Sequence, residues 1–273
     1  MKSVNGTGIK RAALINDYSC LGKCSLSVGV PIVSAYGVEA VALPTAVLST
    51  HTGPDFGEYV IKDMTEQMKS FAAHWKRLNV KFDCIFTGFF SSSEQIDIAQ
   101  NFINDFADDH TTVIVDPVLG DGGSLYPCFD KSYIEKMRAL VSLADVITPN
   151  FTEAALLAGC EFGTAPQQLA QKLKVPNAII TGVKSGDEIG YYARLGDKIK
   201  EISYPCVPMQ LHGTGDVFSS ALCGALMSRD DIEKSLENAA EFCNECIVEA
   251  AKRQPKHWYG LPFEVVLKRR MNL

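Results

Sequence analysis

His212-Gly213-Thr214-Gly215-Asp216-Val217-Phe218-Ser219-Ser220-Ala221-Leu222 is the stretch around which the chain is organised. Phe218, Leu222 and Leu226 recur at helical spacing after Asp216, so the segment from Gly213 to Asp216 lies on the loop that opens a helix. Two glycines let backbone N–H groups converge with no Cβ in the way. The helix N-terminus adds unsatisfied donors and a partial positive charge at the same point, which makes the loop an anion site. The carboxylate of Asp216 then has two readings, a first-turn cap for orphan N–H groups or a general base beside a phosphate cradle. In either role, its place at a helix N-terminus predicts a low pKa.

Outward from this loop the chain alternates between short apolar runs and amphipathic stretches. Strands are expected at Ala12 to Ile15, Val38 to Leu43, Asp83 to Phe86, Val113 to Val115, Val146 to Ile147 and Ala178 to Ile180. The helical patterns between them are Leu26 to Ala35, with a kink at Pro31, one long amphipathic helix from Phe56 to Leu78, and segments marked by Ile96 to Phe106, Ile134 to Val141, Glu153 to Leu157 and Leu169 to Leu173. Repeated strand-helix-strand units imply an α/β fold, doubly wound, with a mostly parallel central sheet and helices on both faces. Tyr191 to Leu195 and Ile199 to Tyr204, joined through Gly196-Asp197, predict an antiparallel hairpin at one sheet edge. Two helices follow, the one opened at Gly215-Asp216 and one carrying Ile232, Leu236, Ala239, Cys243 and Ile247. No linker or repeat divides the chain, so residues 1–273 read as a single domain; the tail from Pro255 onward, broken by Pro255 and Pro262, has no clear pattern.

The 273 residues are 47% hydrophobic, enough for a sizeable core. A net charge of −6 and no basic run beyond Lys268-Arg269-Arg270 argue against nucleic acid and membrane surfaces as partners. The polar segment Met1 to Lys10 is no apolar signal, no run reaches membrane-spanning length, and a cytoplasmic protein is expected. Nine scattered cysteines, an odd number, read as reduced thiols; Cys20, Cys24, Cys243 and Cys246 are better buried small side chains than a zinc site.

Ligands of open parallel sheets bind at the carboxyl ends of the strands, and the polar clusters of this chain lie there. Asn16-Asp17, Thr87-Gly88-Phe89, Asp116, Asn150 with Glu153, and Thr181-Gly182 each follow a strand. Singly, each has an ordinary reading as a cap or turn former, Asn150 and Glu153 as a capping pair in particular. Together, acids without basic partners repel unless a cation lies between them, and magnesium shared with substrate phosphates fits that need. No G-x-G-x-x-G follows the first strand, which weakens the reading as a dinucleotide oxidoreductase.

Asp116-Pro117-Val118-Leu119-Gly120-Asp121, Thr148-Pro149-Asn150-x-x-Glu153 and Gly213-Thr214-Gly215-Asp216 resemble the signature set of the ribokinase-like superfamily, and His51-Thr52-Gly53 with Thr87-Gly88-Phe89 resembles its pyridoxal kinases. The resemblance, spanning about Ala12 to Val248, implies ATP-dependent phosphorylation of the 5′-hydroxymethyl group of pyridoxal, pyridoxine or pyridoxamine, a step of pyridoxal 5′-phosphate salvage. It implies Asp216 as the base, with the N–H groups of Gly213, Thr214 and Gly215 stabilising the transferring phosphoryl group. Asp116 and Glu153 would organise Mg²⁺, and Asn150 and Thr181 would lie near the ATP phosphates. Asp121 and Ser124 would sit in a flexible loop over the site, and Asp17, His51, Thr52 and Phe89 would face the substrate ring. A homodimer is also implied, and the need for a monovalent cation is left open. Family members often carry a hydroxyl residue in place of Asp17 and Tyr in place of Phe89. Asp17 matches the acid of hydroxymethylpyrimidine kinases, which stand as the rival reading; a non-catalytic nucleotide-binding regulator is the rival from another class.

Overall fold

The computed structural model describes residues 5, 6, 8–209, 211–229, 231–253 and 258–272; Thr7, Pro255 and the start of the N-terminal segment lie outside them. In chain order the elements are β1 (Arg11–Leu21), α1 (Ser25–Ala35), β2 (Glu39–Thr50), a 3₁₀ turn (Pro54–Phe56), β3 (Ile61–Asp63), α2 (Thr65–Arg77), β4 (Cys84–Thr87), α3 (Ser93–Phe106) and β5 (Thr112–Val115). There follow β6 (Gly120–Asp121), β7 (Ser124–Leu125), α4 (Lys131–Val141), β8 (Val146–Ile147), α5 (Phe151–Ala158), α6 (Pro166–Lys172), β9 (Asn177–Ser185), β10 (Glu188–Leu195) and β11 (Lys198–Pro205). Three helices, α7 (Thr214–Arg229), α8 (Ile232–Arg253) and α9 (Phe263–Arg270), complete the described chain.

Nine strands form one sheet in the order β11-β10-β9-β8-β5-β4-β1-β2-β3. The six from β9 to β2 run parallel, and the expected hairpin β10–β11 extends one edge. Alternate residues of one strand feed opposite faces: Ala13 and Ile15 of β1 join the core under α3, α4 and α6, whereas Ala12 and Leu14 join the core under α1, α7 and α8. A sheet covered on both faces is why these strands read as unbroken apolar runs. The second face is built on α7, in which every residue from Val217 to Met227 is buried; a helix apolar all round has no solvent side and is held from every direction.

Three expectations need correction. The long helix from Phe56 to Leu78 is not there. Gly57 at φ 68 ends the 3₁₀ turn, and Ile61–Asp63 pairs antiparallel with Ala46–Leu48, so α2 begins only at Thr65. Val60 and Ile61 fit the helical spacing, but the open backbone edge of β2 competes for that segment's hydrogen bonds and wins. The first strand does not stop at Asn16-Asp17 either. It continues past a register shift between Asn16 and Tyr18 to Leu21, a bulge at the rim of the site. The tail, patternless in sequence, forms α9, which buries Phe263 and Val266 with Leu261 in the second core.

No helix of the described residues is long and apolar enough to cross a membrane. All nine cysteines are free thiols; Cys24, Cys243 and Cys246 are buried and Cys20 is exposed, so the four do not form a zinc site. In the first core Phe102 packs within 4.3 Å of Phe106 and 5.7 Å of Phe82, ring centre to ring centre. Phe102→Ala is expected to lower unfolding free energy by about 3–5 kcal/mol, read as a fall in the urea midpoint at unchanged slope.

Candidate active site

The rim at the carboxyl ends of β1, β4, β5 and β8 gathers four carboxylates. Asp17 lies in β1 just past its bulge, and its Oδ1 and Oδ2 accept from the hydroxyls of Ser25 at 2.5 Å and Ser19 at 3.2 Å. Ser25 opens α1 at φ 53, a left-handed conformation uncommon for serine, so the backbone is strained where it meets the site. Asp116 follows β5, and its Oδ2 accepts from Ser219 of α7 at 2.9 Å. Ser219 is in turn 3.0 Å from Thr148, and because its proton is committed to Asp116 the Thr148 hydroxyl donates to it. Asp116 Oδ1 has no hydrogen-bond partner among the described residues.

Glu153 combines two readings that the sequence set against each other. It forms a complete capping box with Asn150, accepting from the Asn150 N–H at 2.8 Å while Asn150 accepts from its N–H at 2.9 Å. Its other oxygen takes the Leu119 N–H at 3.0 Å, so this buried carboxylate also pins the segment entering the glycine loop. Asn150 is bridged to Thr181, and its side-chain amide donates to the Gly120 carbonyl at 2.8 Å.

Asp216 occupies the first turn of α7, half-buried, as the spacing requires, but the expected low pKa is overturned. Burial, then the charges of Asp116 and Asp17, push it up to about 7, against the opposing pull of the Ser25 N–H and the Asn16 side chain. The helix N-terminus is one partial charge; the surrounding carboxylates are whole ones. Asp116 is likewise pushed up to about 7 by burial, Glu153 is raised by burial and by Asp116, and Asp17 is raised by burial. No lysine or arginine is among the leading influences on any of the four.

Glycines fix this geometry. Gly213 takes φ 78, and a Cβ there would overlap the Lys23 carbonyl, so only glycine lets the anion loop lie against the segment after β1. A Cβ at Gly88 would overlap the Asn16 side chain, whose Oδ1 accepts from the N–H of Phe89 at 2.8 Å and of Asp17 at 2.9 Å. Asp121 and Ser124, expected in a flexible loop, sit instead on the β6–β7 hairpin, with Gly122 and Gly123 both at positive φ in its turn. The hairpin is tied to α5 through the Gly123 N–H and the Thr152 hydroxyl at 2.9 Å.

His51 and Thr52 lie directly after β2, Thr52 exposed and His51 half-buried, while Phe89 packs 6.0 Å from Phe129. The structure thus brings Asp17, Asp116, Glu153, Asn150, Thr181 and the Gly213–Asp216 loop to one rim. Asp121 and Ser124 lie on the hairpin tied to α5, and Phe89 is joined through its N–H to Asn16 beside Asp17. The sequence reading placed Asn16 and Thr148 at strand ends but gave them no role, and gave none to Ser25, Ser219 or Tyr126, whose hydroxyl is held above its ordinary pKa by burial and by Glu153, Asp121, Asp116 and Asp216. Ser219 was within reach of inference, since a serine one helical turn past Asp216 in a helix with apolar residues on every side needs a buried partner.

Among the described residues no three His, Cys, Asp or Glu side chains converge into a ready metal cage. The donor set nevertheless suits a hard divalent cation: buried carboxylates without counter-charge, one free Asp116 oxygen, and a buried Thr87 hydroxyl without a partner.

A doubly wound sheet with an anion loop opening a buried helix beside uncompensated acids is a phosphotransferase arrangement, and the fold is that of the ribokinase-like kinases. A family model described as phosphomethylpyrimidine kinase matches residues 32–260, and the chain belongs to that family. It is similar to a Bacteroides thetaiotaomicron protein assigned provisionally as a phosphomethylpyrimidine kinase, at 33% identity and a TM-score of 0.93, covering 99% of this chain and 96% of that one. The same protein has been crystallised with pyridoxal. A pyridoxal kinase from Lactobacillus plantarum superposes with a TM-score of 0.90 at 29% identity, covering 97% and 98% of the two chains. A Schizosaccharomyces pombe protein provisionally named a pyridoxal kinase is 26% identical, covering 89% of this chain and 86% of its own.

The raised acid gives a signed pH effect. Asp216 titrates near 3.8 when unfolded and about 7 when folded, so its ionisation costs nothing below pH 3.8 and its full penalty applies above 7. Ligand-free Asp216→Asn is therefore expected to be more stable than the parent at pH 8, by on the order of 1–2 kcal/mol. The gap should close at pH 4, as read from melting temperatures across that range.

Proposed function

We propose that the chain, read as a single kinase domain over residues 1–273, transfers the γ-phosphoryl group of ATP to the 5′-hydroxymethyl group of a vitamin B6 vitamer. The observation that carries the kinase reading is Asp216, a carboxylate with a pKa pushed up to about 7, inside an anion-binding loop. A base matched to neutral pH accepts a proton without being trapped by it. Asp216 takes the hydroxymethyl proton as the oxygen attacks in line, and the N–H groups of Gly213, Thr214 and Gly215 stabilise charge spreading over the transferred group. Asn150 and Thr181 contact the phosphates, and the Asp121–Ser124 hairpin covers them.

Asp116 would hold Mg²⁺ directly. Glu153, both of whose oxygens already accept from backbone N–H groups, would act through water. Bound magnesium supplies neutralisation of the phosphate charge, and a cage of protein ligands is not required because phosphates and water complete the shell. The vitamin reading is supported by the relative crystallised with pyridoxal and by the His51-Thr52-Gly53 segment beside the rim. Asp17, His51, Thr52 and Phe89 would surround the pyridine ring. The rival, hydroxymethylpyrimidine phosphorylation, is favoured by the description of the matching family and by Asp17, an acid suited to an amino-substituted ring. A homodimer is supported by Tyr59, Val60 and Ile61, exposed apolar residues at and before the outermost strand β3. Free thiols support a reducing, cytoplasmic setting.

The deciding measurement is ADP release over B6 vitamers and hydroxymethylpyrimidine side by side. The best vitamer is expected to exceed the pyrimidine in kcat/KM by at least about tenfold, roughly 1.4 kcal/mol, and the opposite order hands the chain to the pyrimidine reading. Asp216→Asn should lower kcat by about 10²- to 10⁴-fold in either case; normal turnover by that variant leaves Asp216 only a cap. Glu153→Gln should raise the magnesium concentration for half-maximal rate with little change in vitamer binding without ATP, and equal magnesium dependence removes Glu153 from the metal's surroundings.

A further inference from the structure

His212 precedes the anion loop, and no part of the mechanism above uses it. Its ring centre lies 5.0 Å from that of His51, at the start of the loop after β2. The half-buried His51 ring has three described neighbours besides His212. Its Nδ1 accepts from the Gly53 N–H at 2.9 Å, Phe56 meets its edge at 6.2 Å, and a Cβ at Gly22 would press on its own Cβ at 3.1 Å. Gly53 is buried between the two imidazoles: a Cβ there would lie 2.9 Å from His51 Nδ1 and 3.6 Å from His212 Nε2. Phe56 is backed in turn by Trp258 at 4.8 Å.

Because Nδ1 of His51 is an acceptor, the neutral ring carries its proton on Nε2 and offers one donor of fixed identity. We propose that His212 is a positioning residue that clamps the His51 ring against Gly53, fixing the Nε2–H tautomer and tying the acceptor-side loop to the loop that carries Asp216. The proposal deepens the reading above, in which His51 faces the substrate ring. One side chain thereby joins the two halves of the reaction, since His212 is bonded directly to Gly213 and packs on His51. Burial, and secondarily His212, lower the pKa of His51, which keeps the ring neutral. Of the neighbouring charged groups, Lys23, next to Gly22, is paired with Glu264, and Asp55 of the same loop is exposed.

The test compares the parent with His212→Ala and His212→Phe, the second keeping a ring but no ring nitrogen. Ring nitrogen NMR reports the His51 tautomer and titration without any turnover. The parent should show the Nε2–H form; His212→Ala should show a mixture of tautomers; His212→Phe should restore the parent tautomer while the His51 titration moves upward. In steady state His212→Ala should raise the KM of the alcohol substrate by about five- to tenfold and leave the KM of ATP within about twofold, with His212→Phe recovering most of the loss. An unchanged His51 tautomer in His212→Ala, or equal rises in both KM values, overturns the proposal. If the parent prefers hydroxymethylpyrimidine, the vitamin reading fails, yet the NMR comparison and the KM split on that alcohol still decide the role of His212.

Discussion

Four carboxylates at one rim of the sheet, buried to different depths and without a basic partner among the described residues, are the constraint on which the rest depends. Two like charges about 6 Å apart in a medium of effective dielectric about 20 repel by about 3 kcal/mol. A chain that only had to fold would separate them or place a lysine between them. This one holds them with neutral donors, the hydroxyls of Ser19, Ser25 and Ser219 and the N–H groups of Leu119 and Asn150. Hydroxyls orient a carboxylate without cancelling its charge. The ligand-free site is therefore short of positive charge, and a metal–nucleotide complex is the kind of ligand that relieves it.

Keeping strained acids in place demands a scaffold that cannot relax. The all-round burial of α7 provides it, because a helix enclosed by α1, α8 and the sheet has no direction in which to tilt away from its own N-terminus. The same helix delivers Ser219 to Asp116, so the element that carries Asp216 is hydrogen-bonded to the β5 rim. Gly213 and Gly88 act at the other end of the scale. Each removes a single Cβ so that a backbone carbonyl or an asparagine side chain can approach, and each approach sets one wall of the site.

The division between two substrates within one fold follows from where specificity resides. Phosphate handling depends on backbone donors and on acids fixed by the sheet, and these serve any alcohol. In the proposed reading, ring recognition would fall to a few side chains on less regular segments, Asp17 past a bulge and His51 and Thr52 after β2.

The sequence by itself determined the layered α/β architecture, the antiparallel hairpin at one edge, the strand ends that make up the rim and the place of Asp216 in a first helical turn. These follow from local information, since an apolar run of a given length and a glycine pair before a helix carry their meaning within a dozen residues. It misread Phe56 to Leu78, because helical spacing cannot reveal that an unpaired edge of β2 lies near enough to capture Ile61–Asp63, and it could not place α9, whose apolar residues match a surface made of other elements. Only the tertiary structure decided that the Asp121–Ser124 loop is pinned to α5, that Glu153 caps a helix while facing Asp116, and that Asp216 is pushed up in pKa rather than down. The loop and the Glu153–Asp116 approach need partners far apart in the chain, and the Asp216 shift needs their summed effect. Burial and the field of distant charges are sums over residues far apart in the chain, and in this site those sums outweigh the local preference of a carboxylate for a helix N-terminus.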